Sequence, residues 1–274
     1  MLKLKFFDVK LGNATLIQTD KINMLFDIGH DEDLETNPLF SFEGNLDYLI
    51  ITHPHEDHIT GLSDIDLKKP KTLLRNKNIP LDLINERINS TNNSNIKKVY
   101  EKYLELNKKY TKDVTPFNDP TKPYNNGGLE IYSITPASDS KDLNDYSITT
   151  ILKYDNYTIL LMGDNTPSNI KQLLKFNSFL EKTQNIDILL APHHGRESSY
   201  DVDLMNHLNP KITIISDESG KDEVSASDKY SSKSRGHNVY KNNNLVEWNC
   251  LTTRNDGNIE VIIENGKLKI NCEK

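Results

Sequence analysis

Cysteine is nearly missing from this 274-residue chain, with only Cys250 and Cys272, both near its end. Two thiols without metal-ligand spacing exclude a disulfide framework and point to free thiols in a reducing compartment. Long apolar runs are missing too. No stretch approaches the ~20 residues of a membrane span, and Met1-Leu2-Lys3-Leu4-Lys5 enters a strand pattern directly, without a signal sequence. A cytoplasmic protein with no membrane association is expected. A positive surplus is also lacking: the net charge of −7 weighs against polyanion binding by the chain as a whole and leaves that role to local clusters. Hydrophobic residues at 35% and charged residues at 27% give a soluble balance, and the length suits one large α/β unit spanning 1–274.

Histidine, by contrast, is concentrated. The run Thr52-His53-Pro54-His55-Glu56-Asp57-His58-Ile59-Thr60-Gly61 follows the apolar strand Leu49-Ile50-Ile51 and sets three imidazoles and the Asp57 carboxylate, beside Glu56, within six residues. A strand ending there delivers His53 and His55 from a tight loop, while Asp57 and His58 open a helix and face a second ion nearby. Imidazole and carboxylate ligands suit Zn²⁺, with Mn²⁺ or Fe²⁺ as alternatives, and two such ions clamp a phosphoryl or carbonyl oxygen.

The run resembles the H-x-H-x-D-H signature of the metallo-β-lactamase superfamily, hydrolases built as an αβ/βα sandwich of two mixed sheets with metals at one edge. Further elements follow in order. Leu25-Phe26-Asp27-Ile28-Gly29 is an apolar strand closing on an acid; the resemblance implies that Asp27 braces the histidine loop without touching metal. Ile159-Leu160-Leu161-Met162-Gly163-Asp164 places Asp164 where the family bridges both ions, and Thr166-Pro167 reads as the start of the next helix. Ile188 to Ala191 then runs into Pro192-His193-His194-Gly195. By the related His-x-Gly pattern, His193 is the ligand and His194 a proton donor to the leaving group. The ligand sets implied are His53, His55 and Asp164 for one ion, and Asp57, His58, Asp164 and His193 for the other; Asp57 and His194 are the residues expected to act in catalysis.

One family ligand is missing, because no histidine lies between His58 and His193. Asn144-Asp145-Tyr146-Ser147 occupies that region. Either Asn144 or Asp145 approaches the first metal, or the turn only caps the strand entry, with Asn144 and Ser147 as supporting residues. This turn, with Gly-Asp and Pro-His-His-Gly, looks like the ComEC-type branch, which is associated with nuclease activity; its membrane channel has no counterpart here.

Residues from about 66 to 127 interrupt the hydrolase pattern with an Asn- and Lys-rich insertion. Ile96, Val99, Tyr100, Tyr103 and Leu104 recur at helical spacing, so Asn95 to Lys109 is expected to form an amphipathic helix. Its Lys97, Lys98, Lys102, Lys108 and Lys109 form either a solvated face or a guide for a polyanion, with Tyr103 and Tyr110 as stacking candidates. Asp217 to Asn238, rich in Ser, Lys and Asp, reads as a mobile loop, from which His237 is a candidate for the missing ligand. Arg196, Ser198 and Ser199 are candidates for holding substrate oxygens.

Two divalent ions and a nucleic acid or other phosphodiester substrate are therefore expected. A carboxylic ester, lactone or β-lactam hydrolase is the alternative chemistry, and a weakly catalytic binding module with a structural metal is the alternative class.

Overall fold

The computed structural model describes residues 1–10, 12–30, 37–217, 225–242 and 244–274. In chain order the strands and helices begin with β1 (Leu2–Phe6), β2 (Ala14–Gln18), β3 (Asn23–Ile28), β4 (Tyr48–Ile51), α1 (Glu56–Ile59), β5 (Thr72–Arg75), α2 (Leu81–Ser90) and α3 (Ser94–Lys109). They continue with β6 (Glu130–Ile134), β7 (Thr149–Tyr154), β8 (Tyr157–Leu161), α4 (Pro167–Leu173), α5 (Asn177–Thr183), β9 (Ile188–Leu190), α6 (Val202–Leu208) and β10 (Ile212–Ile215). Last come α7 (Ser227–Lys233), β11 (His237–Lys241), β12 (Asn244–Trp248), β13 (Cys250–Thr252), α8 (Thr253–Asp256), β14 (Ile259–Glu264) and β15 (Lys267–Cys272).

These strands form a nine-stranded sheet in the order β12-β11-β15-β14-β1-β2-β3-β4-β5 and a six-stranded sheet in the order β13-β10-β9-β8-β7-β6. Side-chain pattern decides which faces are covered. Strand β1 buries Leu2, Leu4 and Phe6 and leaves Lys3 and Lys5 half-exposed, the alternation of a strand with one core face. Strands β4, β9 and β10 are buried throughout, as continuous apolar runs are when helices cover the outer face of a parallel pairing. Leu4, Phe26 and Ile50 of one sheet meet Leu161, Leu190 and Ile214 of the other in a shared apolar cluster between the sheets. On the outer side of the larger sheet, Leu25, Leu49 and Ile51 pack with Ile59, Ile84 and Tyr103 of α1 to α3, while Leu160 and Leu189 pack with Ile170, Phe179 and Leu204 outside the smaller one. The result is the α/β, helix–sheet–sheet–helix sandwich of a metallo-β-lactamase fold.

Three departures from the sequence expectation have physical reasons. Residues 66 to 127 are not wholly an insertion, because Thr72–Arg75 pairs parallel with β4 and forms the sheet edge. Helix α3 follows the predicted span, capped by Asn93, whose side chain accepts from the Asn95 and Ile96 amides. Its Tyr103 is fully buried and Tyr110 donates its hydroxyl to the Pro70 carbonyl, so neither ring is offered for base stacking. In the segment expected to be a loop, Ser227–Lys233 is a helix, anchored by buried Tyr230 standing edge-on to Tyr200 at 5.0 Å. Residues 218–224 of that segment lie outside the described residues.

The geometry converges at one sandwich edge. Pairings β3–β4, β8–β9 and β9–β10 are parallel, so the loops leaving β3, β4, β8, β9 and β10 emerge together beyond the strand carboxyl ends, where open α/β sheets place ligands. Backbone hydrogen bonds tie these loops to one another: Asn13 N–H to Asp57 O, Gly29 N–H to Asn13 O, Ile148 N–H to Thr52 O and His193 N–H to Gly163 O.

Gly29 makes this convergence possible. A Cβ there would stand 2.0 Å from the Asp57 carbonyl oxygen and 2.9 Å from that of Asn13, both backbone atoms that cannot step aside alone. Gly29→Ala is expected to cost about 1–3 kcal/mol or more, seen as a lower urea midpoint with unchanged slope; an unchanged midpoint would show that the loop packing is softer than described.

Candidate metal centre

The centre is assembled around a bulge. Ala14 pairs with Ile28 and Thr15 with Phe26, which leaves Asp27 as the extra residue, at φ 55. A bulge beside a site re-aims a side chain, and aspartate tolerates the left-handed region better than most residues. The Asp27 carboxylate, fully buried, accepts from the Thr52 amide at 2.8 Å, from the Thr52 hydroxyl at 2.8 Å and from His58 Nδ1 at 2.7 Å.

These contacts fix imidazole protons. Because His58 Nδ1 donates to Asp27, Nε2 is the nitrogen turned inward; it makes no aligned hydrogen bond, although Asp164 Oδ1 is 3.2 Å away. His194 Nδ1 donates to the Ser216 carbonyl at 3.1 Å, which turns Nε2 inward, where it is hydrogen-bonded to Asp57 Oδ2 at 3.2 Å and stands 3.5 Å from Asp164 Oδ2. One ligand atom each from Asp57, His58, Asp164 and His194 all lie within 4.8 Å of one another. Two imidazole Nε2 atoms and two carboxylates facing inward describe a cradle in which a cation can take the place of the imidazole protons, with the rings oriented from behind by acceptors.

Charge agrees with that description. Burial opposes a proton on His58, yet Asp164, Asp27 and Asp57 outweigh it and hold its pKa well above the ordinary imidazole value. Burial likewise opposes charge on His194, and Asp164 and Asp57 raise its pKa. For Asp164, burial disfavours ionisation but His58 and His194 prevail and hold it well below the carboxylate range. Such a pocket attracts positive charge.

The family model of the metallo-β-lactamase superfamily matches residues 8–216. This chain belongs to that superfamily. Among solved structures it is similar to a diphosphatase of the PhnP family, at 13% identity over 96% of this chain and 98% of that one, with a TM-score of 0.50. It is also similar to Igni18, a metallo hydrolase from Ignicoccus hospitalis, at 18% identity over 77% and 81% of the two chains and a TM-score of 0.45. CmlA, a diiron β-hydroxylase from Streptomyces venezuelae, matches at 14% identity over 78% of this chain but only 44% of its own, with a TM-score of 0.45. At these identities the likeness concerns the fold alone. No curated protein matches the sequence.

Superfamily members are mostly metal-dependent hydrolases, and the quartet is the candidate site here. The sequence pattern favoured His193 over His194 as ligand; the geometry groups His194 with the quartet and leaves His193 outside it, its Nε2 3.8 Å from Asp164 Oδ2. The reason is hydrogen bonding. Arg196 Nη1 reaches His193 Nε2 at 3.3 Å, and a guanidinium only donates, so His193 carries its proton on Nδ1 and gives it to Ser199 Oγ at 3.1 Å. Both nitrogens are engaged. His193 and His194 are each left-handed, at φ 50 and 54, which lets neighbouring residues point in different directions.

The other candidates separate similarly. His53 Nε2 stands 3.1 Å from His55 Nδ1 and 4.0 Å from Asp164 Oδ2, while His53 Nδ1 is 3.1 Å from Thr52 Oγ1. Ser147 Oγ accepts the Asp164 amide at 3.2 Å and so positions the acid. Asp145 is drawn away to the Thr166 hydroxyl, whereas Asn144 borders the cleft with its buried Oδ1 lacking any hydrogen bond. Buried Ser199 serves His193 rather than the cleft, exposed Ser198 does not line it, and His237 opens β11 on the larger sheet with Leu268, Lys211 and Asp187 as its surroundings. His237 therefore does not replace the missing ligand.

Two cleft residues carried no functional signal in the sequence, where Tyr100 read only as part of the apolar face of a helix. Arg87 of α2 and Tyr100 of α3 border the same space as Asp57, Asp164 and Arg196, a cleft of about 270 Å³. A lone arginine on an exposed helix face looks like any solvated charge until its direction is known. Among the described residues no helix is long and apolar enough to cross a membrane.

Zinc loading separates the adjacent histidines: His194→Ala is expected to lower metal content and His193→Ala to retain it, measured by elemental analysis after dialysis. Asp27→Asn should weaken metal binding by about 10- to 100-fold through the lost brace. Metal lost in the His193 variant and kept in the His194 variant would reverse the assignment.

Proposed function

We propose that this protein is a metal-dependent phosphodiesterase acting on a nucleic acid or another phosphodiester. The observation that carries the reading is the pair of guanidiniums, Arg87 and Arg196, set against His55 and His193 around one cleft that also contains Asp57 and Asp164. Arginine presents planar, permanently charged donors matched to phosphoryl oxygens, and carboxyl esters or lactams offer such a pair far less to bind. The ComEC-type likeness of the Asn-Asp-x-Ser turn supports a nucleic acid within that class. Exposed Lys97, Lys98 and Lys108 on α3 add local positive charge, whereas Lys102 and Lys109 are committed to Asp66 and Glu105.

In this reading Asp57, His58, Asp164 and His194 would hold one divalent ion, and His53, His55, Asp164 and Asn144 Oδ1 would be the residues to hold a second, zinc or manganese by donor type. Bound there, a divalent ion lowers the pKa of a coordinated water and neutralises charge on a phosphoryl oxygen. The protein's own part is positional. Asp27 and Thr52 hold His53 and His58 in the tautomers required, and Ser147 sets Asp164. Arg87 and Arg196 would bind non-bridging phosphoryl oxygens, and His193, whose Nε2 accepts from Arg196, steers that guanidinium at the cleft.

A panel of single-stranded DNA, duplex DNA, RNA, a chromogenic phosphodiester and a cephalosporin, each with Zn²⁺ and Mn²⁺, tests this. Hydrolysis of at least one phosphodiester, lost in Asp57→Asn, is expected; cephalosporin turnover with every phosphodiester intact would contradict it.

A further inference from the structure

The two ends of the centre are not equally prepared for a cation. In the quartet, the His58 and His194 protons are taken by Asp27 and Ser216, outside the ring of ligand atoms. At the other end the protons fall differently. Arg87 Nη2 lies 3.3 Å from His55 Nε2, and because guanidinium has no acceptor, Nε2 must accept and the His55 proton must sit on Nδ1. That proton faces His53 Nε2 at 3.1 Å. His53 Nδ1 in turn gives its proton to Thr52 Oγ1, whose hydroxyl is donated to Asp27, so His53 Nε2 is an acceptor already engaged by His55. A single guanidinium thus ties up both imidazole lone pairs that a second ion needs.

We infer that Arg87 gates the second cation position of this centre. With its guanidinium on His55, the chain holds one divalent ion, in the Asp57, His58, Asp164 and His194 quartet. When Arg87 withdraws, His55 releases its Nδ1 proton to solvent and takes one at Nε2, with no net change of charge. His55 Nδ1 and His53 Nε2 then present lone pairs beside Asp164 Oδ2. Asn144 completes the set: it is only 7% exposed, borders the same cleft, and its Oδ1 has no hydrogen-bond partner.

The consequence is a coupling between substrate and metal. Arg87 belongs to α2, between the edge strand β5 and the lysine-bearing α3, and its exposed side chain is free to exchange His55 for an anionic oxygen. An arriving phosphoryl group and His55 compete for one guanidinium, so substrate binding and loading of the second ion favour each other.

This inference rests on reading the cluster as a metal centre, and metal titration separates the two claims. Wild type, Arg87→Met, Arg87→Ala and Asn144→Ala would be titrated with Zn²⁺ and with Mn²⁺ by calorimetry, with ion counts from elemental analysis and folding checked by thermal melting. Wild type is expected to bind one ion tightly and a second weakly. Both Arg87 variants should tighten the second ion by about 10- to 100-fold, the range for changes just outside a ligand shell, and leave the first unchanged; Asn144→Ala should weaken the second alone. Two equally tight ions in wild type, or an unchanged or weaker second ion in the Arg87 variants, would overturn the gate while leaving the quartet standing. A first ion indifferent to His194→Ala would remove the quartet, and with it both the proposed function and the gate.

Discussion

The hydrogen bond from His58 Nδ1 to the buried carboxylate of Asp27, at 2.7 Å, is the contact on which the rest of the centre depends. It decides which nitrogen of His58 faces inward. Through the Thr52 hydroxyl the same carboxylate also fixes His53. Burying an acid is costly, and desolvation raises the Asp27 pKa despite the pull of His58 and Thr52. A structural core would not keep so expensive a group at a left-handed bulge; a centre that must orient imidazoles has reason to.

The fold supplies what Asp27 requires. Parallel strands from both sheets end at one edge, and the loops that follow are joined backbone to backbone, so Asp27, Asp164 and His194 arrive from distant parts of the chain at fixed separations. Apolar clusters between and outside the sheets carry the stability, and the polar edge is spared that task. Function can therefore vary at the rim. The α2–α3 segment shows this, placing Arg87 and Tyr100 over a centre whose remaining parts come from the sandwich.

Much of this was legible in the sequence because the signals were local. The His53 to His58 run, the Asp27 strand, Gly163-Asp164 and Pro192 to Gly195 each occupy one contiguous stretch. What remained hidden was direction. His193 and His194 are adjacent and chemically identical, so only the Ser216 carbonyl behind one and Arg196 beside the other distinguish them. Arg87 gave no signal for the same reason. The edge strand Thr72–Arg75 lay inside a lysine-rich stretch, and α7 was concealed by polar composition around a single buried tyrosine.

Proton placement is the central claim, and long-range ¹H–¹⁵N correlation of the zinc-loaded protein reads it directly. The expected spectrum shows His58 and His194 protonated at Nδ1 with metal-shifted Nε2, and His193 protonated at Nδ1 with no metal shift on either nitrogen. A metal-shifted His193, or His58 coordinating through Nδ1, would contradict it.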